Sequence, residues 1–483
     1  MKVHLREDGL LQLPAEAVKA SAIAFLRIWL GTMWLFEVTV GHNWKIGGFA
    51  SGANPAWMGP GAGDAVRENS ASAIADGTYS WFGWAFDTII VPNAVTFGYL
   101  TIALQIALGV AFIVGIAVRP LALAAIGMDI FIFMLGNSRI PPFFTAMHLF
   151  VLVSGAGVYY GLDGLILEKT KDAKSGLAKA TRFVIDLPVF KREYISPAIA
   201  GFGLLGMYFF LTMGSRATGR FTYVAMELAL LSSLIALGLY AYTRYGDRLA
   251  ALAAMLRIFV GFRILHEIWA RVDSAQNGLP GFAPAEVQTE FYEAIVANHW
   301  GLFANLVDTL ILPALGLWVV LFGAIQLAVG AALVVGYRTR LFGLIGMGYI
   351  GLLIAMGFTR LAPFIFGLLV VVVALDGGRI MSLDGVRGPA TEARFGLPIP
   401  PEAIPALIVL AAINAVAATV TAFNLGITPD AYVDNMPSMV TAFIAMITGT
   451  LALTGWLQRN PNLDHSGEVV QIVNTSTDNA ELV

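Results

Sequence analysis

Six charged residues stand where an otherwise apolar chain has least use for them: Glu37, Asp87 and Arg139, and then Glu267, Asp308 and Arg360. Each trio sets two carboxylates beside one guanidinium. A carboxyl group partly withdrawn from water holds its proton more tightly, which suits it to exchange protons near neutral pH. Lys45 follows Glu37 closely, and Arg271 follows Glu267. Two readings are open: a hydrogen-bonded knot that ties helices together, or a site that handles protons and binds an anion. On the second reading Glu37, Asp87, Glu267 and Asp308 exchange protons. Arg139 and Lys45, or Arg360 and Arg271, hold the anion.

A second charged set lies one helix length away. Arg27 precedes Glu37 by ten residues, a rise of about 15 Å in a helix, so the two cannot pair. Arg27, Arg119 and Asp163, matched by Arg257, Arg340 and Asp376, gather at the opposite edge. These read as structural pairs that tie helix ends together, because Arg and Asp at a membrane edge pair or snorkel.

The elements that must position these residues are membrane helices. The chain has 483 residues, of which 58% are hydrophobic and 13% charged. Soluble domains carry about 25% charge. Twelve apolar spans are predicted at 20–40, 95–116, 121–137, 143–161, 196–213, 223–243, 250–270, 314–337, 341–358, 363–382, 403–423 and 438–457. Lys and Arg crowd one side of this arrangement, seven of them between Lys169 and Arg192. The positive-inside rule then places both termini in the cytoplasm of a multi-pass protein of the cell membrane. The N-terminal residues lack the pattern of a cleaved signal peptide. There is no cysteine, which removes disulfides, thiolate metal sites and iron–sulfur clusters. No HExxH zinc motif, P-loop or dinucleotide fingerprint occurs, and no basic, aromatic-interleaved patch suggests nucleic acid. No metal is predicted.

The charges recur because the chain repeats itself. Leu26-Arg27-Ile28 with Gly31 returns as Leu256-Arg257-Ile258 with Gly261. Asp87-Thr88 returns as Asp308-Thr309, and Gln105, Gly109, Gly115 and Arg119 return as Gln326, Gly330, Gly336 and Arg340. Leu162-Asp163-Gly164 is matched to Leu375-Asp376-Gly377. The expected fold is therefore all-α: two parallel repeats, each a four-helix bundle followed by two further helices. The boundaries are 1–195 and 250–400 for the four-helix units, 196–249 and 401–458 for the added pairs, and 459–483 for a disordered tail. Gln105 and Gln326 read as interhelical hydrogen bonds. Some polar residues occur in one copy only: His148 faces Leu369, Asp129 faces Ile350, His266 replaces Phe36, and His42 has no clear partner. Duplicated units diverge when one copy keeps the chemistry, so His148 joins the catalytic candidates. A haem would need a second axial His at its depth, and no good candidate for one is present. Glu227 and Asn414 lie in the added helices without an assigned role.

These motifs resemble the DoxX/DoxD family: an opening Leu-Arg-Ile-x-x-Gly, a polar outer loop, a second helix ending in Gly-x-x-x-Arg, and a fourth ending in Leu-Asp-Gly. The resemblance covers about 20–165 and 250–382. It implies four-helix membrane units and, from the best-described member, an oxidoreductase that couples two thiosulfates to tetrathionate and passes the electrons to membrane quinone. It also implies a DoxA-like second subunit. Quinone would be the electron acceptor, lying with its tail among membrane lipid, and a homo-oligomer is compatible with this reading. The alternatives are a non-catalytic anchor or assembly subunit of a redox complex, and a transporter.

Overall fold

A computed structural model of the protein describes residues 15–41, 44–47, 52–187, 194–213, 219–269, 278–386, 402–425 and 436–464. Among the described residues the regular elements are helices, and each of the twelve predicted spans coincides with one. They are α1 (Ala15–Thr39), α4 (Ala94–Val114), α5 (Val118–Met134), α6 (Pro141–Ser154), α9 (Ile195–Met213), α10 (Gly219–Tyr245), α11 (Arg248–Trp269), α14 (Leu315–Val335), α15 (Thr339–Ala355), α16 (Ala362–Ala374), α18 (Ala403–Leu425) and α19 (Met436–Gln458). Shorter helices fill the connections: α2 (Asp64–Ala75), α3 (Ser80–Ala85), α7 (Leu162–Thr170), α8 (Gly176–Ile185), α12 (Ala285–Asn298), α13 (Gly301–Leu306) and α17 (Leu383–Val386).

Eight helical stretches are long and apolar enough to cross a membrane. The other four, α5, α6, α15 and α16, have 17, 14, 17 and 13 residues. Thirteen residues rise about 20 Å, against a hydrocarbon core of about 30 Å. At the helix centre of the protein α1 packs on α4, α6 and α16, while α11 packs on α14, α16 and α6. The flanking pairs close the ring: α10 lies against α9 and α11, and α19 lies against α18, α1 and α15. Outward faces of α9 and α18 are almost wholly uncovered, with Leu204, Phe210, Leu211, Val416 and Phe423 exposed, as a lipid-facing surface requires.

Local structure recurs at a spacing of 221 residues. A π-helical turn at Phe86–Ile90, then a 3-10 turn at Val91–Asn93, leads into α4; Val307–Ile311 and Leu312–Ala314 lead into α14 in the same way. Pro92 and Pro313 explain the break, since a proline ring removes one intrahelical hydrogen bond and displaces the preceding turn. Both helices end on a glycine in the left-handed region, Gly115 and Gly336, as C-terminal caps favour.

The same spacing corrects one expected match. Asp163 accepts hydrogen bonds from the backbone N–H groups of Ala117 (2.7 Å) and Val118 (3.0 Å), capping α5. The residue that repeats this on α15 is Asp384, bonded to Arg338 N (2.7 Å) and Thr339 N (2.8 Å). Asp376, the residue expected there, instead sits half-buried in a left-handed turn directly after α16, with Arg340 and Arg379 as its cationic neighbours. Leu-Asp-Gly occurs twice within eleven residues, and the second occurrence, Leu383-Asp384-Gly385, is the structural counterpart. The predicted end of that span at 382 moves back to 374 for the same reason.

Arg27 and Arg257 do not form ion pairs with these aspartates. Arg27 donates to the carbonyls of Ala156 (3.1 Å) and Tyr160 (3.2 Å). Arg257 donates to Leu333 (2.6 Å), Val334 (3.0 Å) and Met381 (2.6 Å). Arg27 thus serves carbonyls of the connection after α6, and Arg257 serves the last turn of α14 and the connection after α16. Arg119 pairs with Asp186 at 2.6 Å. Gly115 and Gly336 admit the arginines, because a Cβ at either would fall on the guanidinium.

Removing a cap that serves two backbone donors costs about 1–2 kcal/mol. Asp384→Ala should therefore lower the thermal unfolding midpoint in detergent, and Asp376→Ala should lower it less. Equal effects, or the reverse order, would contradict the assignment of Asp384.

Candidate functional site

A buried polar cluster that includes a predicted catalytic residue forms where α1, α5 and α6 meet. Thr145 and His148 are three residues apart on α6 and so share a face. Asp129 reaches them from α5. His148 Nδ1 lies 2.7 Å from Asp129 Oδ2, and Thr145 Oγ1 donates to the same oxygen at 3.0 Å. On the far side of the imidazole, Trp34 Nε1 of α1 donates to His148 Nε2 at 2.9 Å. His148 and Asp129 are fully buried. The rings of Phe112 and Phe144 pack around the imidazole.

This geometry determines the histidine tautomer. An indole nitrogen can only donate, so His148 Nε2 is the acceptor and carries no proton. The ring proton is on Nδ1 and is donated to Asp129. The carboxylate then receives two hydrogen bonds on Oδ2 and none on Oδ1, which is buried without a partner among the described residues. A buried acceptor without a donor is costly. Asp129 Oδ1 is thus the open acceptor of the pair, the position where a further donor would bind.

The other predicted residues divide. Glu37 and Lys45 come together at the C-terminal end of α1, both buried. The Lys45 ammonium sits 4.9 Å above the Trp57 ring. Burial pushes the Lys45 pKa down to about 8, and the Glu37 carboxylate pulls it back in part. Asp87 and Asp308 lie on the exposed side of the π-helical turns, and Arg139 is also exposed, with Arg360 half-buried. The structure thus does not gather either predicted trio into one enclosed pocket. Arg271 and His42 lie outside the described residues.

Glu267 is drawn into a different cluster. Arg263, one turn back on α11, reaches it at 3.2 Å and also pairs with Glu227 of α10. All three are buried, and the Arg263 guanidinium stacks 5.0 Å above Phe143. His266 Nδ1 lies 3.7 Å from Glu267. Sequence reasoning missed Arg263 and Glu227 as members of a site. The signal was the i, i+4 spacing of Arg263 and Glu267 together with a lone glutamate in the preceding span.

Fold and site together define an all-helical, multi-pass membrane protein with a buried carboxylate–imidazole pair. No family model, curated protein or solved structure matches the chain.

In protein carrying nitrogen-labelled histidine, NMR should find His148 neutral with its proton on Nδ1 at neutral pH. Trp34→Phe should release it to exchange between tautomers. A proton found on Nε2 of the unmodified protein would refute the assignment.

Proposed function

We propose that the chain is a membrane oxidoreductase that passes electrons from a thiosulfate-like sulfur compound to membrane quinone, as the DoxX/DoxD resemblance implies. The reading takes the twelve helices as spans forming two parallel copies of a four-helix unit, each with two added helices, in the cell membrane with both termini in the cytoplasm. The 221-residue spacing of the π turns, glycine caps and capping aspartates supports the duplication.

The reaction balances without another reagent. Two thiosulfates each release one electron and join through a new S–S bond as tetrathionate. The quinone takes those two electrons and two protons and leaves as quinol. The chain must therefore bind an anion and deliver protons. Lys45 at the outer end of α1 suits the first task. The Asp129–His148 pair suits the second: with Nδ1–H held by the Asp129 carboxylate, a proton taken up on His148 Nε2 in place of the Trp34 hydrogen bond would give that nitrogen an N–H to donate to a quinone oxygen. The observation that carries the reading is the unpartnered Oδ1 of Asp129 in a pair that occurs in one copy only.

A second reading, a non-catalytic anchor or assembly subunit working with a DoxA-like partner, draws on the complete burial of His148 behind Trp34. On that reading quinone reduction appears only when the partner is added.

Purified protein in lipid nanodiscs should reduce a short-chain quinone when given thiosulfate. Asp129→Asn should lower kcat by about 100-fold or more, the scale of a lost acid–base group. No quinone reduction with any sulfur donor, with or without a co-purifying partner, overturns the proposal.

Lys45 also sets a pH dependence. Its ammonium is charged below about 8 and neutral above, so the KM for thiosulfate should rise as pH increases through that value. Lys45→Met should raise KM at neutral pH and flatten the profile; an unchanged profile would remove Lys45 from the anion site.

A further inference from the structure

The connection that follows α6 ends in a helix too short to span. α8 has 10 residues, a rise of about 15 Å, half of a hydrocarbon core. It is fastened at the level where α5 begins. Arg119, near the start of α5, pairs with the Asp186 carboxylate at 2.6 Å and donates to its carbonyl at 2.9 Å. Arg182 turns back onto the end of α7 and donates to the carbonyls of Thr170, Lys171 (3.0 Å) and Ala173 (3.3 Å). The Ser175 hydroxyl accepts from Ala178 N at 3.2 Å and caps the helix.

α8 carries two apolar faces. Ala178 and Ile185, seven residues apart, are buried, and Ile185 packs on Leu167 of α7. A second stripe runs through Leu177, Ala180 and Val184, at i, i+3 and i+7, with Phe183 beside it. That stripe has no protein cover: Leu177 is 81% exposed, Phe183 63% and Val184 47%. Val114 at the end of α4 and Ile116 in the turn before α5 are exposed at the same level. Four lysines, Lys169, Lys171, Lys174 and Lys179, are exposed on α8 and the turn before it, against the acids Glu168 and Asp172. Lys179 stands one turn before Phe183.

We propose that α8 lies in the plane of the membrane surface and docks on anionic lipid, with Leu177, Phe183 and Val184 among the acyl chains and the lysines on the headgroup phosphates. Exposed apolar side chains gain by leaving water, and lysine stems reach from an apolar face up to the charged layer. A second copy of the chain fits this face poorly, since it would bring the same four lysines against their like. The proposal goes beyond the oxidoreductase reading and rests only on the helices around α8 spanning a membrane.

The chain has no cysteine, so one introduced thiol gives one labelled site. Phe183→Cys, in the full chain, is labelled with a fluorophore and placed in nanodiscs holding equal amounts of phosphatidylcholine and phosphatidylglycerol. Bromine is carried on the acyl chains of one lipid or the other. Phe183 is exposed, so its replacement leaves the packed core intact. Both brominated lipids should quench the label, and phosphatidylglycerol should be favoured over phosphatidylcholine about fivefold or more, the scale of one lysine at an anionic surface. With Lys169, Lys171, Lys174 and Lys179 all changed to Gln, quenching should persist and the preference should fall to none. A label at the exposed Phe210 of α9 should be quenched by both lipids without preference. No quenching at position 183 by either lipid overturns the proposal and leaves water or a protein partner against this face. Equal quenching by the two lipids, or a preference that survives the loss of the lysines, overturns the assignment to anionic headgroups. The readout needs no substrate and no turnover, so it is independent of whether the oxidoreductase reading stands.

Discussion

Helix ends within an apolar surround must find partners for their backbone groups inside the protein, and this requirement shapes the whole molecule. Arg27 and Arg257 meet it by donating to carbonyls where neighbouring helices stop, and Asp163 and Asp384 meet it by accepting from amides where the next ones begin. The two roles are complementary. At a helix C-terminus the dipole and the free carbonyls favour a cation, and at an N-terminus the free amides favour an anion. These charges need no direct pairing with each other. Each is matched to backbone groups instead, and the short connections between helices are thereby locked in place.

Once the ends are secured, the interior positions of the two halves are free to differ. In the first half α5 and α6 carry Asp129, Thr145 and His148; Ile350 and Leu369 occupy the places matched to the aspartate and histidine in the second. There Gln326 and Tyr349 join helix to loop. At these matched positions the first half therefore encloses groups that can change charge and the second does not; the buried ionisable pair of the second half, Arg263 and Glu267, lies on α11 instead. This division fits a pair of units that kept a common frame and took on different contents.

Much of the frame was legible from residue order, because helix-forming apolar runs announce themselves by length. Each of the twelve predicted segments contains a helix, although those predicted to end at 161 and 382 end at 154 and 374. The error at α16 came from a repeated Leu-Asp-Gly, where the turn at Asp376 depends on a left-handed backbone that composition does not reveal. His148 and Asp129 stood out as polar residues without counterparts, although their contact did not. Trp34 gave no signal, since a tryptophan in an apolar run looks like packing or an interface anchor. The joining of Glu267 to Arg263 and Glu227 depends on how α10 leans on α11, which only the packing supplies. Asp87 and Asp308 were read as pocket residues from their spacing alone, and the π-helical turns rotate both outward.

The ring of helices closes where α19 lies along α1. A helix made early is thus covered by one made some four hundred residues later, and most of α1 is enclosed in the finished protein. While translation continues, that surface has only lipid or the insertion machinery against it. Assembly around α1 must wait for α19, so a chain cut short before α19 would keep the helices between them and still leave α1 bare along one side.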